Sequence, residues 1–566
     1  MKHFAKDISI VIGGAAGQGV QTVETMLMTV LKADGYQVFS SKEYMSRIRG
    51  GSNSTEIRIT NTGIRSYTRH IDILFALDKE VVPHLEDRIT ERTVILGEKG
   101  VVKSTHHVID VPLTQMTDEI GSPIYAGTIA AGVILGFLKA PKAPFESFLR
   151  NRFTRKGEEV VKKNLEAAEK GYALGEHLAY AESIDITLNK TDDPKKKLML
   201  SGDQALGLGV LAAGCNFISS YPMSPGTGLL TFLAEQGGPL GVVVDQAEDE
   251  IAAINMCLGA WYAGARAIVT TSGGGFALMC EGISLSGMIE TPAVIHIGMR
   301  PGPATGLPTR TEQGDINLVL YSGHGEFPRA IFVPGDQEEA FFCAQQAFEM
   351  ANKYQSPVFL LTDQYLLDSV ALVDESDLKR LPIKPHIVET KSDYKRYSLD
   401  TEGGVSPRGI PGYGSGIVSV DSDEHDEAGH ITESFDLRQK MMDKRLRKLE
   451  GLTADALLPT FLGDAKKYET LIVCFGSNKG VVTELVRKGD EKTAMLHFSQ
   501  VYPIAPDAKK YFKRGKKIVV IENNATGQFV DLLEKELNAK IDQRILKYIG
   551  EPFSYDELKR NLESGI

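Results

Sequence analysis

Three carboxylates, Glu248, Asp249 and Glu250, crowd the middle of VVVDQAEDEIAAINMCLGA, which reads as a strand followed by an apolar helix. Acidic side chains complement the positive end of a helix dipole, and that alone accounts for Glu248 and Asp249, which are placed for solvent. Glu250 differs, because Ile251, Ile254 and Leu258 set apolar surface beside it, the setting in which a carboxyl serves as a proton-transfer group. Arg300, in IHIGMRPGP, falls at the carboxyl end of a buried-strand pattern, with prolines and glycines fixing the turn that follows. A guanidinium there is a fork for a carboxylate or a phosphate. In YPMSPGT the hydroxyls of Ser224 and Thr227 suit either the cap of the next helix or a ligand at a strand end, with Tyr221 and Pro222 leading into the turn. TTSGGGF offers Ser272 and Gly273 as a further hydroxyl-and-backbone site at a helix start. Turns of this kind, several to one sheet edge, are where open α/β sheets bind substrates.

Nearer the start, GGAAGQG lies between a strand and a helix, where glycines let backbone NH groups approach a phosphate. Its spacing is GxxGxG rather than the dinucleotide GxGxxG, so a tight turn without a ligand is an equal reading. Lys42, Arg47 and Arg49 concentrate cations in SSKEYMSRIRGG, fit for a carboxylate or phosphate, or simply solvated. Asp421, Asp423, Glu424, Asp426 and Glu427, with His425 and His430, suggest a hard cation but lack the central glycine of a calcium loop, which favours a solvated acidic loop. His324, in SGHGE, reads as a turn histidine before it reads as a proton shuttle.

Positioning these residues requires layered elements, and the sequence supplies them in three blocks of β-branched runs alternating with amphipathic helical patterns. The expected fold is α/β, three doubly wound domains with mostly parallel sheets. The first block spans 1–190, opening with the strand 8–12 and the helix 20–33, and a charged, proline-containing linker follows at 191–197. The second, 198–382, repeats strand and helix, with strands expected at 241–245, 267–271, 293–298, 330–333 and 358–361. A polar excursion covers 383–451, too long for an ordinary loop, and the third block, 452–566, has strands expected at 471–475, 495–498 and 517–521. At 566 residues the chain is far too long for a single small binding module. A net charge of −11 argues against nucleic acid as a partner. The five cysteines are scattered without a CxxC pair, which indicates a reducing, cytoplasmic compartment. The apolar run 124–138 is shorter than a membrane span and reads as a buried helix, and the N-terminus has no secretory-signal pattern.

Taken in order, YPMSPGTGLL, AEDEIAAINMCLGAWYAGARA, TSGGGFALM and MRPGPATGLPTRTEQGD resemble the α subunit of 2-oxoacid:ferredoxin oxidoreductases, the 2-oxoglutarate type most of all. The resemblance continues through SGHGEFPR, DSDEHDEAGHITE, KRLRKLE and ENNATGQF, while GGAAGQGV and SRIRGGSNS resemble the family's γ domain fused in front. It implies a pyrimidine-binding domain in the second block and a transketolase C-terminal-like domain in the third. It also implies oxidative decarboxylation of a 2-oxoacid, or the reverse carboxylation, on thiamine diphosphate, with acyl transfer to coenzyme A and electrons to ferredoxin. By the same resemblance Glu250 faces the aminopyrimidine N1′ nitrogen, Ser224 and Arg300 meet the substrate carboxylate, and Tyr221, Pro222, Ser272 and Gly273 line the cofactor. Lys42, Arg47, Arg49 and Arg310 are the candidates to pair with the distal carboxylate of a dicarboxylic substrate.

The sequence has no GDG followed by an asparagine, the family's magnesium and diphosphate signature, and no cysteine spacing for a cluster. A separate β subunit is therefore expected to carry the diphosphate site, magnesium and a [4Fe-4S] cluster, in a dimer of αβ pairs, a heterotetramer. The rival readings are a noncatalytic scaffold subunit, an enzyme for another 2-oxoacid, and a nicotinamide-dependent dehydrogenase. Glu250, Ser224 and Arg300 together argue against the scaffold. The absence of an acid to hold the ribose after the strand 36–39 argues against the dehydrogenase.

Overall fold

The computed structural model describes residues 2–5, 7–45 and 51–564. They form two compact units: Met1–Leu200 with Ser369–Glu375 and Ser554–Leu558, and Ser201–Asp368 with Ser376–Phe553 and Lys559–Ile566.

The first unit is built on an eight-stranded sheet in the order Val108–Asp110, Val94–Gly97, Ile73–Ala76, Asp7–Ala15, Ser52–Thr60, Gln37–Glu43, Val370–Val373, Leu198–Ser201. The first four strands are parallel, whereas Ser52–Thr60 runs antiparallel to both neighbours. That strand escaped the sequence reading because its second half alternates Ile57 and Ile59 with the charged Glu56 and Arg58, and all four are buried. Glu56 pairs with Arg88, and Arg58 holds Asp7 at 2.6 Å, so this sheet buries charge by pairing it. The apolar run 124–138 folds as expected: Ala126–Phe137 is a helix with ten buried residues, packed on the helix Glu158–Ala181. Glycines make the approach possible, since a Cβ at Gly132 would stand 2.7 Å from the carbonyl oxygen of Ala168, and one at Gly175 would strike that of Val133.

The second unit holds two sheets. Seven strands lie in the order Val243–Gln246, Phe217–Ser220, Ala267–Thr271, Ala293–Met299, Pro357–Asp363, Ala330–Phe332, Gln500–Tyr502, parallel except for the last. The other five are Thr460–Leu462, Thr493–Phe498, Thr470–Phe475, Lys517–Glu522 and Gln543–Leu546, with only Thr460–Leu462 antiparallel. Strand Gln500–Tyr502 thus carries the third block into the sheet of the second.

The polar stretch 383–451 is irregular up to the helix Phe435–Ala454, yet it is fastened by buried charge. Glu290, fully buried and held at φ 49°, receives Lys444 at 2.6 Å and Lys448 at 2.5 Å, while Arg396 donates to its backbone carbonyl. Burial pushes the Glu290 carboxyl up, but Lys448, Lys444 and Arg396 together outweigh it and hold the group well below the usual carboxylate range. Arg408 bonds the Trp261 carbonyl at 3.1 Å and Asn352 Oδ1 at 2.7 Å. No described helix is long and apolar enough to cross a membrane.

Candidate active site

The strand ends of the seven-stranded sheet bring the candidate residues of the second unit to one rim. Asp249 caps the helix Glu250–Tyr262, its side chain accepting from the Ala252 amide at 2.7 Å, and stays exposed together with Glu248. Glu250, the first helical residue, turns inward and is 3% exposed. Ile254 and Leu258 are buried behind it, whereas Ile251 faces out at 49% exposure. Glu250 Oε1 has no hydrogen-bond partner, and a Cβ at Gly275 would collide with it and with Thr271 Oγ1, so only glycine lets this helix start pack so closely on the carboxyl.

Ser272 precedes the short helix Gly273–Leu278; it is fully buried, and its hydroxyl also lacks a partner. The turn Tyr221–Gly226 lies across the same strand ends. A Cβ at Gly298 would stand 2.9 Å from the Gly226 amide and from the Pro225 ring, which locates the turn against the strand bearing Arg300. Arg300 Nη1 donates to the Ser224 carbonyl oxygen at 2.7 Å. The structure brings these two residues into contact, through the Ser224 backbone carbonyl rather than its hydroxyl. Helix Thr227–Gln236 takes no side-chain cap, so capping is not the use of the hydroxyls in this turn. Tyr221 is 41% exposed at the edge, and Pro222 is half-buried.

Beneath the turn runs a buried hydrogen-bond chain. Thr270 Oγ1 donates to the Gly226 carbonyl at 3.0 Å and stands 2.7 Å from His296 Nδ1, while His296 Nε2 lies 2.8 Å from Thr362 Oγ1. Because the Thr270 proton is committed to Gly226, Nδ1 must carry the imidazole proton and Nε2 must accept from Thr362. The ring is neutral: burial pushes the His296 pKa down to about 3.

Asp315 was not singled out from the sequence. Preceding the helix Ile316–Leu320, it reads as a helix cap, yet it makes no cap hydrogen bond, and its Oδ2 is buried without a partner. Its place is set by its neighbours. Gln313 accepts from Asn478 Nδ2 at 2.9 Å and donates to Asp363 at 3.1 Å, its backbone amide bonds Asn523 at 2.7 Å, and Gln528 donates to the Gly314 carbonyl at 2.8 Å. Burial pushes Asp315 up to about 6 against the opposing pull of Arg300. Burial pushes Arg300 itself down, again against Asp315, and Arg300 Nε has no partner. Arg310 follows on the same loop, which folds back so that the Leu307 amide bonds the Pro301 carbonyl at 3.0 Å and the Arg310 amide bonds Leu307.

Other candidates divide clearly. Lys42 is bound at 3.4 Å to the buried Glu24, and Arg47 and Arg49 lie outside the described residues. His324 is exposed, its backbone amide donating to Ser284. In the acidic loop Glu424 is taken by Arg438 and Arg445, Glu427 by Lys395 and the Leu399 amide, and Asp426 by the amides of Ala428 and His430. Among the described residues no group of His, Cys, Asp and Glu side chains is arranged to hold a metal ion. In the first unit the glycine-rich turn, with Gly17 and Gly19 at positive φ, opens on a cavity of about 840 Å³ that Gln18, Tyr125, Lys156 and Asn164 also line.

The second unit thus carries an orphaned buried carboxyl at a helix start and an arginine at a strand end of one parallel sheet. Residues 208–444 match the family model "Pyruvate flavodoxin/ferredoxin oxidoreductase, thiamine diP-bdg", and residues 9–174 match "Pyruvate ferredoxin/flavodoxin oxidoreductase". The 2-oxoacid:ferredoxin oxidoreductase subunit alpha of Sulfolobus sp is 30% identical over 98% of this chain and 96% of its own length. The 2-oxoglutarate oxidoreductase subunit KorA of Mycobacterium tuberculosis is 30% identical over 99% of this chain and 92% of its own. A solved 2-oxoglutarate:ferredoxin oxidoreductase from Magnetococcus marinus, with 2-oxoglutarate, coenzyme A and succinyl-CoA bound, superposes with TM-score 0.91 at 27% identity, covering 99% of both chains. The chain belongs to the 2-oxoacid:ferredoxin oxidoreductase family and is an α-type subunit of that class of oxidoreductase.

Proposed function

We propose that this chain is the α subunit of a 2-oxoglutarate:ferredoxin oxidoreductase, acting with coenzyme A and completed by a β subunit that supplies the diphosphate site, magnesium and a [4Fe-4S] cluster. In this reading 1–190 is the γ-like domain, 198–382 the pyrimidine-binding domain and 452–566 the transketolase C-terminal-like domain, with 383–451 a polar excursion fastened to the pyrimidine-binding domain. The observation that carries the reading is the unpartnered Glu250 Oε1, buried at a strand-end rim that also holds Arg300 and Ser224.

The residues present fit the pyrimidine half of thiamine diphosphate. A buried carboxyl oxygen without a partner is costly unless a ligand satisfies it, as a donor on the pyrimidine ring would. Ser272 adds a second unpartnered group, and Tyr221, Pro222 and Gly273 complete the lining. When bound, the cofactor supplies the nucleophilic carbon and the electron sink. Glu250 Oε1 is the group that would hydrogen-bond the aminopyrimidine ring. Arg300 and Ser224 orient the carboxylate of the 2-oxoacid, and the Thr270–His296–Thr362 chain keeps the Ser224 turn from drifting. Arg310, brought back on the same loop, is assigned to the second carboxylate of 2-oxoglutarate. The glycine-rich turn and cavity of the first unit suit the diphosphate of coenzyme A, because backbone NH groups at a helix start favour anions.

Co-purifying the chain with its β subunit and following reduction of an artificial acceptor with 2-oxoglutarate, pyruvate and 2-oxobutyrate tests this. The expected result is coenzyme A-dependent reduction that is fastest with 2-oxoglutarate and whose preference over pyruvate shrinks in Arg310→Ala. Equal rates with all three acids would replace 2-oxoglutarate by a broader substrate range, and no turnover with any would favour the scaffold reading.

A further inference from the structure

The stretch KKYFKRGKK sets Lys509, Lys510, Lys513, Arg514, Lys516 and Lys517 close together without a single acid, on a chain whose net charge is −11. Such a block of like charge ordinarily stays unfolded, because the charges repel and nothing apolar holds them. Here it is folded. Lys509–Phe512 is a short helical turn after Pro506–Ala508, and Lys517 opens the strand Lys517–Glu522 of the five-stranded sheet. Aromatic rings hold it in place: Tyr511 stacks on Phe461 with centroids 5.3 Å apart, and Tyr468, 5.4 Å from the same Phe461 ring, donates from its hydroxyl to the Tyr511 carbonyl at 2.9 Å. The Arg514 guanidinium lies over Tyr468 and bonds the Lys466 carbonyl, which sets a further exposed lysine alongside.

All of these cations except Lys517 are exposed. Among the described residues Lys509, Lys510, Lys513 and Arg514 form no ion pair, and Lys516 shares Glu469 with Lys492, at 3.3 and 3.5 Å. The block is therefore a face of uncompensated positive charge on a fixed platform. No large apolar side chain is exposed between Leu458 and Tyr548. A permanent subunit contact gathers apolar groups at its centre, whereas a weak and quickly reversed encounter is steered by charge.

We propose that this face docks an acidic protein, and that the protein is the electron carrier reduced by the complex. This deepens the proposed function and rests on it for the identity of the carrier as a ferredoxin. The face itself moves no electron, since these leave through the cluster assigned to the β subunit. Its part is to draw in a carrier rich in aspartate and glutamate and to raise the rate of productive encounter.

The test compares two electron acceptors in the complex of the full chain with its β subunit: an acidic ferredoxin, and methyl viologen, a small cation that needs no docking face. Lys509→Glu, Lys510→Glu and Lys513→Glu combined should lower kcat/KM for ferredoxin about tenfold at low salt, and added salt, which slows the parent, should no longer slow the variant. Turnover with methyl viologen and the KM values for 2-oxoglutarate and coenzyme A should stay at the parent values. An unchanged kcat/KM for ferredoxin overturns the proposal, and so does a parent rate that salt does not slow. Loss of the β subunit from the variant on size exclusion would make the face a subunit contact and overturn it equally. A parent complex that reduces methyl viologen but not ferredoxin sinks the docking proposal alone, whereas one that reduces neither with any 2-oxoacid sinks the proposed function and the docking with it. Should the triple reversal fail to fold, Lys509→Gln, Lys510→Gln and Lys513→Gln combined decide by the same readings, with a loss of about threefold expected for ferredoxin and none for methyl viologen.

Discussion

Two buried polar clusters of the second unit differ in how far they are closed. Around Glu290 every charge has an answer: Lys444 and Lys448 on the carboxylate, Arg396 on its carbonyl and on Gln355, and Gln355 in turn on Ser406. Around Glu250, Ser272, Arg300 and Asp315, each residue keeps one buried atom without a partner. Burial of charge alone thus does not mark a functional site. Unanswered atoms alone do not either, since Arg408 Nε and His425 Nε2 in the 383–451 stretch also lack partners; the second cluster is set apart by four of them gathering around the strand ends of one sheet. The closed cluster fastens the 383–451 stretch, and the open one awaits chemistry.

The strongest way to break that contrast is Glu290→Gln. Removing the one anion shared by two buried lysines should cost about 3 to 5 kcal/mol, read as a lower denaturation midpoint, while the folded fraction keeps its KM for 2-oxoacid. A shift below about 1 kcal/mol would show that the cluster is not closed by charge after all. Next in size, Glu250→Gln should lower turnover of the complex by roughly a hundredfold while leaving the denaturation midpoint in place, because an amide cannot exchange the proton. Glu248→Gln, on an exposed side chain, should leave turnover near the parent value; if it is the crippling change, the wrong carboxylate has been assigned.

The smallest effect at neutral pH concerns His296, which supports the open site from behind. Its folded pKa, about 3, lies below the roughly 6.5 of an unfolded histidine, so between these values the unfolded chain binds a proton that the native one refuses. Its contribution to stability is intact above pH ~6.5 and is lost as pH falls toward 3. His296→Gln should make the slope of stability against pH in that window shallower by at most about 1.4 kcal/mol per pH unit, one proton's worth. An unchanged slope in unfolding titrations would mean that the imidazole takes up its proton in the native state.

The layered α/β architecture was legible because buried parallel strands appear as continuous apolar runs: Ala267–Thr271 falls where expected, and Lys517–Glu522 extends the expected strand by one residue. Glu250, Ser224 and Arg300 were legible because each sits at a strand end or helix start with a local signature. Asp315 was not, since its orientation depends on Gln313 meeting Asn478 and Asn523, residues more than 150 positions away. Nor did the polar composition of 383–451 reveal that Lys444 and Lys448 are fully buried, because only the fold places Glu290 beneath them. Ser52–Thr60 was missed for a related reason, as its charged residues find partners only once the sheet has formed.

Gln313 has a bearing on chimaeras between relatives of different substrate preference. Its bonds tie the loop between Arg300 and Asp315 to Asn478, Asn523 and, through Asn524, to the turn that starts the helix Gln528–Leu537. A graft that exchanges the last hundred or so residues as a cassette, with a join at the helix Phe435–Ala454, would separate this amide from the partners it was fitted to, even though no residue of the substrate rim had changed. Grafted loops should therefore travel together with the asparagines that hold them, and a swap of the loop alone should show its defect first in substrate affinity rather than in yield.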